Sequence, residues 1–285
     1  MMETRYYSFA GVDVCISAPE DLMFPEERRM AAFRTEQKAD AHQFLFARVP
    51  ELPEPGYPSV SVGDSMLVYS DGMTQARYLG NIRDTWDTAY LRAEHREKRH
   101  DIQLKAASFP GAMGVTPVLN ALAAEHLVLD AGGVVFHASY ILHNDRAILF
   151  TAPSGTGKST QADLWVKHRN SRIVNGDRAV IRIVNGQAVA CGLPFAGSSE
   201  YCENVTAPLA AIVYLAQAPK TQISRLTGFR AFRRVWEGCS VNTWDRADVE
   251  KATQIVEQII RQVPVYYLPC TPDETAVAAL EGVLV

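Results

Sequence analysis

Over its first hundred residues the chain reads as a series of short strands. In 6–17 two runs flank Ala10 and Gly11, and Val12, Val14 and Ile16 alternate with polar neighbours, the period of a half-buried strand. Further strands are predicted at 43–49, 59–62 and 65–69, the last running into the hairpin-forming pair Asp71 and Gly72. Between them, 50–58 holds four prolines and reads as an irregular connection. The stretch 88–106 is charged enough for an exposed helix. It also fits a hairpin in which Tyr90, Arg92 and Glu94 face Ile102, Leu104 and Ala106, and the hairpin is the reading preferred here.

Ser108, Phe109, Pro110 and Gly111 interrupt this pattern, and helical periodicity enters after them. Thr116 and Pro117 can cap and start a helix through Leu119, Leu122, Ala123 and His126 to about Asp130, stopped by Gly132 and Gly133. Two apolar strand runs follow, 134–142 and 147–151, joined by a turn over His143, Asn144, Asp145 and Arg146. A helix is predicted over 158–168, a strand over 172–175, and a hairpin of 179–184 with 188–191 across Asn185 and Gly186. Later come a buried strand at 209–215, helices at 229–237 and 248–262, a strand at 265–268 and a last helix at 272–281. The chain therefore divides into a β-rich part, 1–110, and an α/β part, 111–285.

Bulk properties narrow the function classes. At 285 residues, 47% hydrophobic and 21% charged, the composition is that of a globular protein with a proper core. The net charge of −4 supplies no field favouring nucleic acid or an anionic membrane. No apolar run is long enough to span a bilayer, and the first ten residues lack a signal-peptide core. Cysteines at 15, 191, 202, 239 and 270 form no Cys-x-x-Cys pair, which suits reduced thiols in a cytoplasmic protein.

The strongest chemical signal lies between the predicted strand 147–151 and the helix after it: Ala152, Pro153, Ser154, Gly155, Thr156, Gly157, Lys158, Ser159 and Thr160. Phosphate binding needs backbone N–H groups turned into one concavity, a helix N-terminus behind them and a cation. Gly155 and Gly157 free the backbone for such a turn, Lys158 supplies charge for the β- and γ-phosphates, and the Ser159 hydroxyl can bind Mg²⁺. The first glycine of the general Gly-x-x-x-x-Gly-Lys-Ser pattern is replaced by Ala152. The expected ligand is ATP or GTP with Mg²⁺.

With what surrounds it, the run 153–160 resembles the HPr kinase/phosphorylase and phosphoenolpyruvate carboxykinase group. The match has three parts: the loop; Phe136, His137, Ala138 and Ser139 on the strand before it, where HPr kinases place a His-Gly pair; and Asn175, Gly176, Asp177 and Arg178, where the group has an acidic pair before arginine. It covers about 116–185. The resemblance implies a PEP-carboxykinase/HPr-kinase-like P-loop domain of α/β class with a mixed sheet, here preceded by a β-rich α+β N-terminal part. It implies an ATP-dependent kinase acting on a hydroxyl, of serine in a peptide or protein or of a small molecule. A homo-oligomer is compatible with it, since HPr kinases assemble as hexamers. The chain departs from the group at Gly176, where the first acidic residue stands in its relatives, and in lacking a recognisable arginine-containing substrate loop, which leaves the acceptor open.

On this reading Ser154, Gly155, Thr156, Gly157, Lys158, Ser159, Thr160 and Arg178 bind nucleotide, and Ser159 with Asp177 holds the metal. Lys158, Asp177 and His137 are the catalytic candidates. Asp177 serves as base or metal ligand, and His137 orients Asp177 or contacts the γ-phosphate region. Each has a plainer alternative: Asp177 as a turn residue, His137 as a core histidine, Arg178 as a salt-bridged surface group. The loop 192–199 fits a lid, an acceptor site or a plain connection. Arg230, Arg233 and Arg234 fit the basic outer face of an amphipathic helix better than a phosphate site. Nucleotide binding without transfer, or hydrolysis with water as acceptor, are the competing functions.

Overall fold

The computed structural model describes residues 1–22, 28–54, 56, 59–62, 66–70, 74–79, 89–94, 98–107, 122–197 and 199–284. They form two compact units, Met1–Ala124 and Glu125–Val285. The junction expected near 110 lies in 108–121, outside the described residues, as do Asp71 and Gly72.

The first unit is built on an eight-stranded sheet. Its elements are β1 (Met2–Phe9), β2 (Val12–Pro19), the short α1 (Arg28–Ala31), β3 (His42–Val49), β4 (Ser59–Val62), β5 (Met66–Ser70), β6 (Thr74–Leu79), β7 (Ala89–Glu94) and β8 (Arg99–Lys105). The strand order is β1-β2-β3-β8-β7-β6-β5-β4. Ala10 (φ 48) and Gly11 (φ 77) both adopt left-handed backbone, the geometry that matches a two-residue turn to strand twist. β7 pairs antiparallel with β8, Leu91 opposite Ile102, so the described residues of 88–106 form paired strands and not a helix. β6 has no apolar alternation to announce it. Its buried positions include Gln75 and Arg77, and the Arg77 Nε donates to Gln75 Oε1 at 2.6 Å. A buried polar pair of this kind is invisible to a hydropathy pattern.

The second unit is a mixed α/β structure. It comprises α2 (Ala124–Asp130), β9 (Gly133–His137), β10 (Ser139–His143), β11 (Arg146–Thr151), α3 (Lys158–Arg169), β12 (Arg172–Asn175), β13 (Arg178–Val184), β14 (Gln187–Cys191), β15 (Thr206–Gln217), β16 (Ser224–Leu226), α4 (Gly228–Trp236), β17 (Cys239–Ser240), α5 (Arg246–Gln262), β18 (Val265–Cys270) and α6 (Glu274–Glu281). The main sheet path is β12-β10-β11-β15-β14-β13-β9-β17, with β18 pairing β15 and β16. The twelve-residue β15 serves two neighbourhoods. Its first residues pair antiparallel with β14, and its later ones lie parallel between β11 and β18. The carboxyl ends of β11, β15 and β18 thus share one edge, the place where open α/β sheets present loops to ligands.

Both faces of this sheet are covered. Leu149, Tyr140 and Ile212 pack against Ala231 and Val235 of α4 and Ala252, Val256 and Ile259 of α5. Phe150, Ile141 and Leu215 pack against Ala162 and Trp165 of α3 and Val277 and Leu280 of α6. Alternate residues of one strand feed opposite cores, which is why the runs read as continuously apolar.

Two expectations are corrected. The run 134–142 is not one strand: it breaks at buried Ala138 into β9, which pairs β13 and β17, and β10, which pairs β11 and β12. An apolar run cannot register the bend, because residues on both sides of it are buried. The predicted helix to Asp130 is, among the described residues, only Ala124–Asp130, since Leu122 and Ala123 form a turn and Ala123 sits at φ 51; the proposed start at Thr116 lies outside them. No helix of the described residues is long and apolar enough to cross a membrane.

One glycine tests the packing behind β14. A Cβ on Gly192 would lie 1.8 Å from the Glu203 carbonyl oxygen, a backbone atom that cannot swing aside. Gly192→Ala is expected to lower stability by about 1–3 kcal/mol, read as a fall in the urea midpoint with an unchanged m-value.

Candidate functional site

The segment between β11 and α3 folds around the side chain that ends it. Gly155 (φ 76) and Gly157 (φ 119) both take left-handed backbone, with no crowding at either Cβ position, so backbone conformation and not space calls for glycine there. Gly157 occupies the N-cap of α3, and no side chain caps the helix start. The first-turn N–H groups of α3 therefore face the loop without a protein side-chain acceptor, as an anion site at a helix N-terminus requires. Lys158 is buried, and its Nζ donates to the Ala152 carbonyl at 3.1 Å. Ser154, Gly155, Ser159 and Thr160 are exposed, Thr156 and Gly157 partly so.

Removal from water pushes the Lys158 ammonium below its usual pKa. The nearby Asp177 carboxylate opposes that shift and Arg178 adds to it. Asp177 is therefore within charge range of the lysine. Its carboxyl is held below the ordinary carboxylate range, first by the hydrogen bond with His137 and further by Arg178, His137 and Lys158, against its own partial burial. The His137 Nε2 lies 3.2 Å from Asp177 Oδ1, and Arg178 Nε lies 3.4 Å from Oδ2. The structure thus gathers Lys158, His137 and the adjacent Asp177 and Arg178 from three points in the sequence. His137 is half-buried and bonded to a carboxylate, so it is not a core histidine. Arg178 is ion-paired, donates to Ser240 Oγ at 3.0 Å and stands 5.6 Å over the Phe195 ring.

Strand breakage positions these groups. Where the chain bends at Ala138, its N–H donates to the Asp177 carbonyl at 3.0 Å, and Ser139 Oγ donates to the Gly176 carbonyl at 2.9 Å. From the loop side, Thr151 Oγ1 donates to the His137 carbonyl at 2.8 Å. The bend, the turn at 175–178 and the end of β11 are therefore tied together.

Asn175 is the residue whose importance the sequence did not disclose. It is fully buried; its Oδ1 accepts from the N–H groups of Asp177 and Arg178 at 2.9 Å each, and its Nδ2 donates to the carbonyls of Leu193 and Phe195, also at 2.9 Å each. The first pair is the turn chemistry that asparagine favours, and that signal was present. The second pair binds the loop 192–197 to the site, and only the fold supplies it. Gly197 (φ 55) then packs on Asp177, where a Cβ would lie 2.9 Å from the carboxyl carbon. Gly176, directly before Asp177, has Ser199 against it: a Cβ would meet Ser199 Oγ at 2.2 Å. A second carboxylate has no room there, and Ser198 lies outside the described residues.

Beside the loop is a cavity of about 610 Å³, lined among others by Gly155, Thr160, Gln161, Leu215, Gln217 and Cys270. Gln161 is buried, and its Oε1 has no hydrogen-bond partner while its Nε2 reaches Cys270 Sγ at 3.4 Å. Gln217 Nε2 approaches the carbonyls of Gly155 and Thr156 at 3.4 and 3.5 Å. Among the described residues no group of three or more His, Cys, Asp and Glu side chains converges on a metal position. A magnesium ion needs no such cage, since one carboxylate and a substrate's phosphates commonly suffice.

No protein-family model and no curated protein matches the sequence. Among solved structures, the Hpr(Ser) kinase/phosphatase from Coxiella burnetii is similar over 52% of this chain and 94% of its own, with a TM-score of 0.32 and 10% identity. The likeness is weak.

The linked groups give a pH signature. Because the folded-state pKa of Asp177 is depressed, its carboxylate stabilises the fold above the unfolded value near ~4 and loses that contribution as pH falls through the folded value. Asp177→Asn is expected to flatten the acid limb of stability against pH by about 1–2 kcal/mol, measured by urea unfolding at successive pH values. A second expectation concerns the hub: Asn175→Ala leaves donors and acceptors unpaired and costs about 2–4 kcal/mol, read as a lowered melting temperature.

Proposed function

We propose that the protein transfers the γ-phosphoryl group of a nucleoside triphosphate to a hydroxyl acceptor. The observation that carries this reading is the buried Lys158 ammonium at the glycine loop, sharing a charge field with the His137-bound Asp177 carboxylate. A desolvated cation facing a helix N-terminus calls for a polyanion, and a carboxylate beside it is what distinguishes chemistry from capture.

In this scheme the loop amides and Lys158 hold the β- and γ-phosphates, Thr156, Ser159 and Thr160 line their approach, and the cavity beside Gln161 takes the rest of the nucleotide. Its volume is in the range of small-ligand sites. Asp177, oriented by His137, accepts the proton of the acceptor hydroxyl. The acceptor oxygen forms the new bond to phosphorus as the bond to the β–γ bridging oxygen breaks, leaving the diphosphate. Ser159 and Asp177 would hold a magnesium ion, which when bound neutralises charge on the phosphates. Arg178, already paired with Asp177, fixes the carboxylate and offers its remaining donors to phosphate oxygens.

One observation favours a second reading. Gly176 leaves Asp177 without the second carboxylate of the group the sequence resembles. A chain with that arrangement could bind nucleotide as a regulatory element, or hydrolyse it with water as acceptor. Product analysis separates the three: a labelled acceptor, free phosphate alone, or no turnover.

Lys158→Ala is expected to weaken nucleotide binding by about 100-fold or more. Asp177→Asn is expected to keep affinity within a few fold and lower transfer about 100-fold or more. Calorimetric titration and γ-labelled ATP incubated with candidate acceptors check both. Full transfer by the Asp177→Asn variant would refute the assignment.

A further inference from the structure

We infer that α4 presents an arginine groove that anchors an acidic peptide segment of the acceptor. The groove, about 240 Å³, is lined by Leu226, Arg230, Arg233, Arg234 and Tyr267. Charge within it is unbalanced. Arg233 and Arg234 both pair with one carboxylate, Glu237, at 2.8 Å each, and Arg230 forms no ion pair among the described residues. Three permanently charged guanidinium groups answered by a single carboxylate leave two positive charges for a ligand. The surroundings are apolar as well as basic. The Arg234 guanidinium carbon lies over Tyr214, 4.2 Å from the ring centroid, and Phe229, one turn before Arg233, is 78% exposed. Carboxylates next to an aliphatic or aromatic side chain complement that surface better than an evenly hydrated polyanion does.

Position connects the groove with the site. Tyr214 is in register with Thr151, the last residue before the phosphate loop, and with Tyr267 on its other side. Adjacent strands lie ~4.8 Å apart, so the groove floor is about 10 Å from the strand that feeds the loop. At its other end α4 runs into Gly238, whose carbonyl accepts from the His137 N–H at 2.8 Å, and then into Ser240, the partner of Arg178. An extended peptide covers ~3.4 Å per residue, so an acidic anchor three or four residues from the reacting hydroxyl spans the gap. The inference rests on the phosphotransferase reading for the fate of the bound segment, not for its binding.

The test reads binding without nucleotide. A short fluorescent peptide of glutamates and leucines around one serine is titrated with the protein at low salt, beside a control with glutamine for every glutamate. The acidic peptide is expected to bind at least about tenfold tighter, and Arg230→Glu or Arg233→Glu to remove that advantage while nucleotide affinity is kept. Arg230→Gln, at an exposed position, gives a milder check should a charge reversal unfold the chain. Equal binding of the two peptides, or an advantage that survives these substitutions, overturns the groove. So does a single-stranded oligonucleotide of equal charge that binds as tightly. A protein that binds the acidic peptide through these arginines yet transfers no phosphate upholds the groove and sinks the transferase alone.

Discussion

An ammonium group withdrawn from water at the end of a parallel strand must be answered by negative charge, and the second unit is arranged around that demand. Lys158 has one carbonyl and the field of one carboxylate to answer it. A helix start without a side-chain cap points the same way. Two electropositive elements aimed into one recess are poorly compensated by protein alone, which is the condition under which binding a polyphosphate releases electrostatic strain.

The carboxylate that completes this field is placed by close backbone approach and not by a second acid. Glycines at 176, 192 and 197 let the turn, the end of β14 and the following loop press together, and Asn175 supplies the hydrogen bonds that hold them. The same crowding that positions Asp177 excludes a side chain at 176. The absence of a side chain at 176 and the fixed position of Asp177 thus follow from one piece of packing. His137 then fixes one oxygen of Asp177 and Arg178 faces the other, so the carboxylate has a defined orientation before any ligand arrives.

β15 divides the surroundings of the loop. Tyr214 and Leu215 are neighbours in sequence and point to opposite faces of the sheet. Leu215 belongs to the core under α3 and α6 and lines the cavity beside the loop, whereas Tyr214 carries Arg234 of α4. In the proposed reaction, a nucleotide and an acceptor approaching from these two recesses would meet at the shared carboxyl edge of β11, β15 and β18.

The glycine loop, the helix after it and the two-residue turns at 144–145 and 185–186 were determined by the sequence alone, because each depends on backbone conformations that a few adjacent residues impose. Lys158 was legible in the loop motif, and Asp177 and His137 only as residues that the resemblance singled out. Their convergence was not, since it follows from the chain leaving β9 at Ala138 to begin β10 elsewhere in the sheet, and from β13 pairing beside β9. Nor were β6, hidden by the buried Gln75 and Arg77 pair, or the role of Asn175, whose partners lie 18 and 20 residues away. Such contacts depend on register between distant strands, and register is set by the packing of the whole unit, which local periodicity does not encode.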